Sequence, residues 1–532
     1  MHGQALCETE TGAGTANKLV KGSIFRNVDL FISLGVTFLI TPFIVHSLGN
    51  RMYGFWTLVG TVIGYYGLLD FGLSSAATRY ISQSLGKGDM EQVDRVANTA
   101  FFLFTLIGAA ALLVTAACVL ACPLFIRDPG ESALFREIIL MLGIVTAIGF
   151  PFKVYGGVLT SHMEFDSIAY ISIARTVVAN AAIYVFLRNG RGIMTVAMIN
   201  CAASLLQSAA TCALCLAQVP GVRVTFFRFD REKMHAMFDY SWKTFICQIG
   251  DTLRFQVDSF VIAAFLDVSL VTPYFIGGRL VDGFGRIISS SIGVMLPVFS
   301  QYEGRGDYES IRSALLKVTT LSALLGAFVG FSVIFYGKAF ILRWMGPGFE
   351  GSYGVTVILC AGSILGLAEV PGVQLLYGLS KNNYLAAANA CQAALNVLLS
   401  LFFLRHLGMY GVALATMVET MIFALFVQPI YICRTAQLTV RAYLVDKILF
   451  TLLKAAVPLG IYFYLIRDLV TPDFTRIGAC IAVQAALFIP AAYFFIIGDD
   501  ERRYVKNALQ GRTKLYEKLG RGGGPINDSV RA

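Results

Sequence analysis

Apolar residues in this chain neither alternate nor mark one helical face; they fill whole windows. Scanned in lengths of about 20 residues, enough for a helix to cross a hydrocarbon core of roughly 30 Å, the sequence holds fourteen of them. They lie near 28–48, 53–77, 98–122, 137–159, 167–187, 193–217, 242–265, 272–298, 314–336, 354–379, 384–404, 410–432, 446–466 and 477–497. Each predicts a helix, because in lipid an open strand edge would leave backbone N–H and C=O groups without partners. The windows at 53–77, 242–265 and 272–298 are the least apolar.

Composition agrees. Mean hydropathy is +0.69, and 41 Phe and 23 Tyr accompany only 14% charged residues. A soluble fold of 532 residues could not bury that much apolar surface. The fold class expected is an all-α polytopic membrane protein of about 14 transmembrane helices.

Charge then orients the spans. Residues 1–27 are polar and carry Lys18, Lys21 and Arg26, which does not fit a secretory signal peptide. The first span is expected to be an uncleaved anchor with its N-terminus inside. Counted by alternate loops, 24 Lys and Arg fall on the N-terminal side and 10 on the other. That bias places both termini in the cytoplasm. Topology thus accounts for the net charge of +9, and nucleic acid is not needed as a partner. The eleven Cys sit mostly inside apolar runs, Cys212 and Cys215 included, and His2, His46, His162, His235 and His406 lack metal-ligand spacing. No metal site and no catalytic group is expected.

An octapeptide pattern recurs. LGKGDMEQ at 85–92 and EGRGDYES at 303–310 share Gly-basic-Gly-Asp-x-Glu, each in a loop and six spans apart. Pro151, Leu159 and Thr160 recur as Pro371, Leu379 and Ser380, and Gly192 as Gly411, at nearly the same offset. The chain is therefore read as two parallel-repeat six-helix bundles, 28–217 and 242–432. They are joined by a cytoplasmic linker at 218–241, preceded by the segment 1–27, and followed by helices 13–14 in 433–497 and a basic tail at 498–532. Within the motif, Asp89 and Asp307 are expected to cap a following helix, with Glu91 and Glu309 in its first turn.

The run LGNRMYGFWTLVGTVIGYYGLLDFGLSSAATRYISQSLGKGD, with Tyr53-Gly54-Phe55-Trp56, Leu69-Asp70-Phe71-Gly72-Leu73 and Arg79-Tyr80, resembles the N-terminal signature of the polysaccharide-transporter (Wzx-like) branch of the MOP flippase superfamily. Asp258, Pro297 and Tyr410-Gly411-Val412 are later matches, so the likeness extends over roughly the first 430 residues. It implies a non-enzymatic flippase that moves polyprenyl-diphosphate-linked oligosaccharide across the inner (plasma) membrane by alternating access. Surface polysaccharide biosynthesis (O-antigen, capsule or exopolysaccharide) would be the setting. Membrane lipids, a polysaccharide polymerase and a chain-length regulator would be partners, with no cofactor beyond coupling to H⁺ or Na⁺. Two alternatives stay open: a multidrug or other small-molecule exporter of the same superfamily, and a polymerase or ligase, for which the outer loops are short.

Charges inside the spans locate a candidate path. Eight Lys and Arg fall there, and at mid-depth each would cost about 2.5–3.5 kcal/mol facing lipid. Lys243, Lys317 and Lys454 sit near span ends and can snorkel. Lys153, Arg175, Arg254, Arg279 and Arg286 remain as residues that could line a cavity or meet a diphosphate. Arg254 shares a helix face with Asp251 and Asp258, and Arg279 with Asp282 and Arg286. The same clusters could equally be ion pairs that hold helices together. Asp70, Asp258 and Glu369 are the candidate ion-coupling acids, although Asp70 beside Phe71-Gly72 could simply cap a helix break.

Overall fold

Helix satisfies the backbone almost everywhere, and no strand occurs among the described residues. The computed structural model describes residues 2–86, 89–125, 128–219, 230–293, 295–379, 381–499, 501–503 and 506. In chain order the helices are α1 (His2–Tyr66), α2 (Leu73–Gly86), α3 (Met90–Phe125), α4 (Pro129–Ser161), α5 (Phe165–Arg188) and α6 (Ile193–Gln218). There follow α7 (Arg231–Phe265), α8 (Val271–Ile292), α9 (Met295–Gly304), α10 (Tyr308–Met345), α11 (Glu350–Ala368) and α12 (Val370–Gly378). The last are α13 (Asn382–Leu407), α14 (Met409–Ile422), α15 (Gln428–Ala436), α16 (Phe450–Ile466) and α17 (Phe474–Ala491). Tight 3-10 turns at Gly67–Asp70, Val268–Leu270 and Arg467–Leu469, and wide π turns at Phe423–Val427, Arg441–Leu449 and Ala492–Ile496, mark the irregular points.

Among the described residues, eleven helical stretches are long and apolar enough to cross a membrane. The protein is a multi-span membrane protein. Four of the fourteen windows account for the difference of three. The first two run together as Asn27–Asp70, interrupted only at Gly49, where φ 80° and ψ 161° leave the helical region at the place a loop is expected. A side chain there would be strained, so glycine marks the break. The other two correspond to α7 and α8, which have 35 and 22 residues but carry the charged clusters that lower their hydropathy.

By packing, the chain divides into two compact units, Met1–Gly278 with Asn382–Ala415 and Arg279–Lys381 with Thr416–Ala532. Packing follows which helices touch, whereas the repeat follows sequence order, so the two partitions need not coincide. In the first unit α3 lies along α4, α4 along α6, and α13 along α7. Small residues permit this: a Cβ on Gly108 would stand 2.6 Å from the Ala147 carbonyl oxygen, and one on Gly143 2.3 Å from Thr115 Oγ1. Phe104, Phe150, Val154 and Val158 fill the core between them. In the second unit α10 is the central helix, against which α11, α12, α16 and α17 pack. There a Cβ on Gly330 would collide with Ile364.

Both copies of the repeated motif do the same local work. Asp89 Oδ1 accepts from Gln92 N at 3.0 Å, and Asp307 Oδ1 accepts from Ser310 N at 3.0 Å. Each aspartate also donates its own N–H five residues back, Asp89 to Ser84 and Asp307 to Tyr302. Glu91 and Glu309 occupy the first turns of α3 and α10. One sequence device therefore ends one helix and starts the next, twice.

Removing the cap should be measurable. Asp89→Ala is expected to cost on the order of 1 kcal/mol, read as a lower thermal unfolding midpoint in detergent, while Asp89→Asn, which still caps, costs little. At Asp307 the hydrogen bonds from Ser310 hold the carboxyl below the usual carboxylate range. Its contribution is present above the unfolded-state value and is lost as pH falls through the lower folded-state value. Asp307→Asn should flatten that acid limb of the stability curve, and an unchanged limb would show that this cap does not titrate with folding.

Candidate functional site

The most irregular backbone in the first unit lies where α1 ends. After Tyr66 the chain tightens into the 3-10 turn Gly67–Asp70, and Phe71 (φ 48°) and Gly72 (φ 73°) both enter the left-handed region before α2 begins. Glycine adopts this readily, but a phenylalanine there costs about 1–2 kcal/mol. Phe71 recovers part of that by packing its ring on Phe245 of α7, with centroids 4.3 Å apart. The freed backbone groups are repaired locally, Phe71 N to Leu68 O at 3.0 Å and Ala76 N to Gly72 O at 3.1 Å. A strained, interrupted helix that the surroundings hold in place is where polar function is accommodated inside a membrane.

Asp70 sits in this break and is 8% exposed. Its Oδ1 accepts from Ser74 Oγ at 3.0 Å and lies 3.8 Å from Lys153 Nζ. Lys153 comes from α4, two residues after Pro151, and its ammonium stands 4.5 Å from the centre of the Phe150 ring. Unlike the aspartate, the Lys153 side chain is 40% exposed. At an effective dielectric near 20, two charges at this separation attract by roughly 4 kcal/mol before desolvation is subtracted. The arrangement is a half-open ion pair: the carboxylate is buried and the cation reaches outward.

The remaining residues fall in several places. On α7, Asp258 Oδ2 accepts a hydrogen bond from Tyr274 Oη; the Arg254 and Asp251 side chains lie outside the described residues. Arg175, on α5, is half-buried and points Nη2 at Ser204 Oγ on α6, 3.5 Å away, while its Nε is buried without a hydrogen-bond partner. Glu369 is 1% exposed and stands between α11 and α12, with neither carboxyl oxygen hydrogen-bonded. Tyr443 and Cys433 lie within its electrostatic reach. On α8, Arg279 is half-buried and Arg286 exposed, and Asp282 is within electrostatic reach of both.

The structure thus brings together Asp70 with Lys153, and Arg279 with Asp282 and Arg286. Asp70, Lys153, Arg175 and Asp258 belong to the first unit, and Arg279, Arg286 and Glu369 to the second. Sequence reasoning placed Asp70 and Lys153 in separate groups because 83 residues divide them, and no periodicity reports a contact between helices that far apart. Tyr274 was missed because it stands on the next helix, α8, and periodicity within α7 reports no contact with a neighbouring helix. Ser74 could have been found, since it follows Asp70 by four residues across a visible break signal.

Comparison with known proteins places these features in context. A family model described as "Polysaccharide biosynthesis protein" matches residues 48–352. The chain is 23% identical over 429 residues to the uncharacterized membrane protein EpsK of Bacillus subtilis (strain 168), which covers 77% of this chain and 82% of that protein. It is 20% identical over 401 residues to a Haloferax volcanii protein named "Probable low-salt glycan biosynthesis flippase Agl15", covering 75% and 80%. Among solved structures, the lipid II flippase MurJ in its inward closed conformation matches with a TM-score of 0.69 at 13% identity, covering 89% of this chain and 99% of that one. Transporters of the MOP superfamily share the fold as well, as the sequence resemblance implies.

The Asp70–Lys153 pair makes a sharp prediction. Lys153→Met strands a buried carboxylate and should lower the thermal midpoint of the purified protein more than Asp70→Asn/Lys153→Met does. A double-mutant cycle should give a coupling of about 0.5–3 kcal/mol. Additive effects of the two substitutions would show that the 3.8 Å approach carries no interaction.

Proposed function

The chain belongs to the polysaccharide biosynthesis protein family, and from that premise we propose that it moves a polyprenyl-diphosphate-linked oligosaccharide across the inner membrane by alternating access. It is a flippase-type transporter rather than an enzyme, as the named relative and the structural neighbour are. The observation that carries the cargo assignment is the charged face of α8. Arg279 and Arg286 lie one turn to either side of Asp282, within its reach, so two guanidinium groups share one carboxylate. Two guanidinium groups on one helix face suit an anion. A diphosphate has a charge near −2 and cannot cross hydrocarbon bare, and the guanidinium fork offers its oxygens two parallel hydrogen bonds.

Asp70 is the coupling acid in this reading, for H⁺ or Na⁺. It is built into a helix break and has a cation partner, Lys153, that is partly open. Asp258 and Glu369 are the further acids that ion binding would involve. The charge bias of 24 to 10 supports cytoplasmic termini. The translocated oligosaccharide then supplies a polymerase, with its chain-length regulator, at the far face.

Charge reversal tests the cargo contact. Arg279→Glu and Arg286→Glu are expected to abolish export of the glycan in cells while the protein stays in the membrane at wild-type amount. Arg→Lys at either position should keep partial export, reduced about tenfold or more, because a hydrogen bond to a charged group worth roughly 1.5–3 kcal/mol is lost with the fork. Normal export by both Glu variants would remove the diphosphate from this face.

A further inference from the structure

A cavity of about 260 Å³ lies inside the first unit, lined by uncharged side chains. Val62, Tyr65 and Tyr66 of α1 form one side, Cys118 of α3 and Phe135 of α4 another, and Phe260 of α7 a third. Tyr65 lays its ring on Phe260, with centroids 5.8 Å apart. The Tyr66 hydroxyl is already engaged with Thr115 Oγ1 at 2.7 Å, and that threonine donates to the Ala111 carbonyl at 2.7 Å.

These walls decide what can enter. None of the lining residues is Lys or Arg, so a diphosphate would have no counter-charge. A sugar ring would bring several hydroxyls to a surface of rings, methyls and thiols and leave them unsatisfied. Hydrocarbon remains. An apolar cavity of roughly 150 Å³ accepts a benzene-sized molecule, so this one holds about ten carbons, the size of two isoprene units. Its surface sets broad aromatic faces from Tyr65, Tyr66, Phe135 and Phe260 against small notches at Cys118 and Ala121. Flat sp² carbons suit the faces and methyl branches suit the notches, whereas a straight acyl chain uses neither.

We propose that this cavity is a binding site for an isoprenoid segment of about ten carbons. Two sources share that chemistry: the polyprenyl carrier of the cargo proposed above, and a free short isoprenoid dissolved in the bilayer. Only the first rests on the flippase reading. Tyr65 and Tyr66 lead directly into the turn that carries Asp70, so a bound chain braces the end of α1 beside the candidate coupling acid.

Photolabelling of the purified full-length protein in detergent, with a geranyl ether bearing a diazirine, tests the site. Labels are expected on the peptides 58–66 and 114–122, reduced at least tenfold by excess geraniol and much less by decanol. Ala121→Phe, which fills the cavity, should remove the label, whereas Leu120→Phe, at a position 80% exposed, should not. Thermal unfolding reports whether Ala121→Phe is folded, and Cys118→Leu is the gentler filling that serves if it is not. Label spread over outward-facing residues and insensitive to geraniol, or unchanged in a folded filled variant, would overturn the site. Equal protection by decanol would overturn the isoprenoid assignment. Displacement by polyprenyl-diphosphate-linked oligosaccharide identifies the carrier chain as the source. Displacement by geraniol alone assigns a free isoprenoid, and the cargo reading then stands or falls on the α8 arginines.

Discussion

A backbone that crosses hydrocarbon must pair its own N–H and C=O groups, and the rest of this structure depends on that constraint. It makes every described span helical, and it makes each interruption a place where a substitute partner must be supplied. The substitutes are visible. At Gly408 (φ 57°) the Gly411 N–H turns back to the Gly408 carbonyl at 3.0 Å, and after the left-handed Gln437 the Leu438 N–H reaches Cys433 O at 2.8 Å. At Phe71 and Gly72 the repair is equally local. Two of the interruptions hold a buried acid, Asp70 after α1 in the first unit and Glu369 between α11 and α12 in the second.

Side-chain polarity obeys the same accounting. Within the second unit, Tyr336 Oη donates to Gln484 Oε1 at 2.8 Å, and Gln484 Nε2 donates to Ser332 Oγ at 3.0 Å. Beside them Phe335 stacks on Phe463 at 4.1 Å and 7°. This buried ladder ties α16 and α17 to α10. At the other end Lys447 pairs with Glu501, and Arg502 donates to the carbonyls of Tyr493 and Phe494. The last two spans therefore belong to the second compact unit rather than standing outside it, although the sequence repeat counts them as additions. Deleting one rung of such a ladder leaves a buried group unpaired, which costs more than the hydrogen bond itself contributes.

The repeat shows how far shared sequence carries shared geometry. Asp89 and Asp307 cap alike in the two copies because capping involves only neighbours within five residues. Pro151 and Pro371 correspond in the repeat yet differ in outcome. Pro151 lies inside the continuous helix α4, and Pro371 opens α12 after α11 has ended. Gly149 stands where the second copy has Glu369. An acid at the joint goes with a broken helix, and a glycine at the same place with an unbroken one.

What the sequence alone determined is whatever follows from solvent and from near neighbours. Twenty-residue apolar windows imply spans, and Asp89 and Asp307 imply helix starts, since each rests on one stretch of chain read against lipid or water. Even the shortfall from fourteen windows to eleven apolar helices among the described residues falls on the windows that read as weakest. Only the tertiary structure decided which polar groups meet. Lys153 finds Asp70, Tyr274 finds Asp258, and Tyr65 and Phe260 close a cavity with Cys118, across helices separated by tens or hundreds of residues. Those meetings depend on where glycines let helices approach and on which face each helix then buries, and a packing choice made jointly by many residues leaves no periodic mark in any one of them.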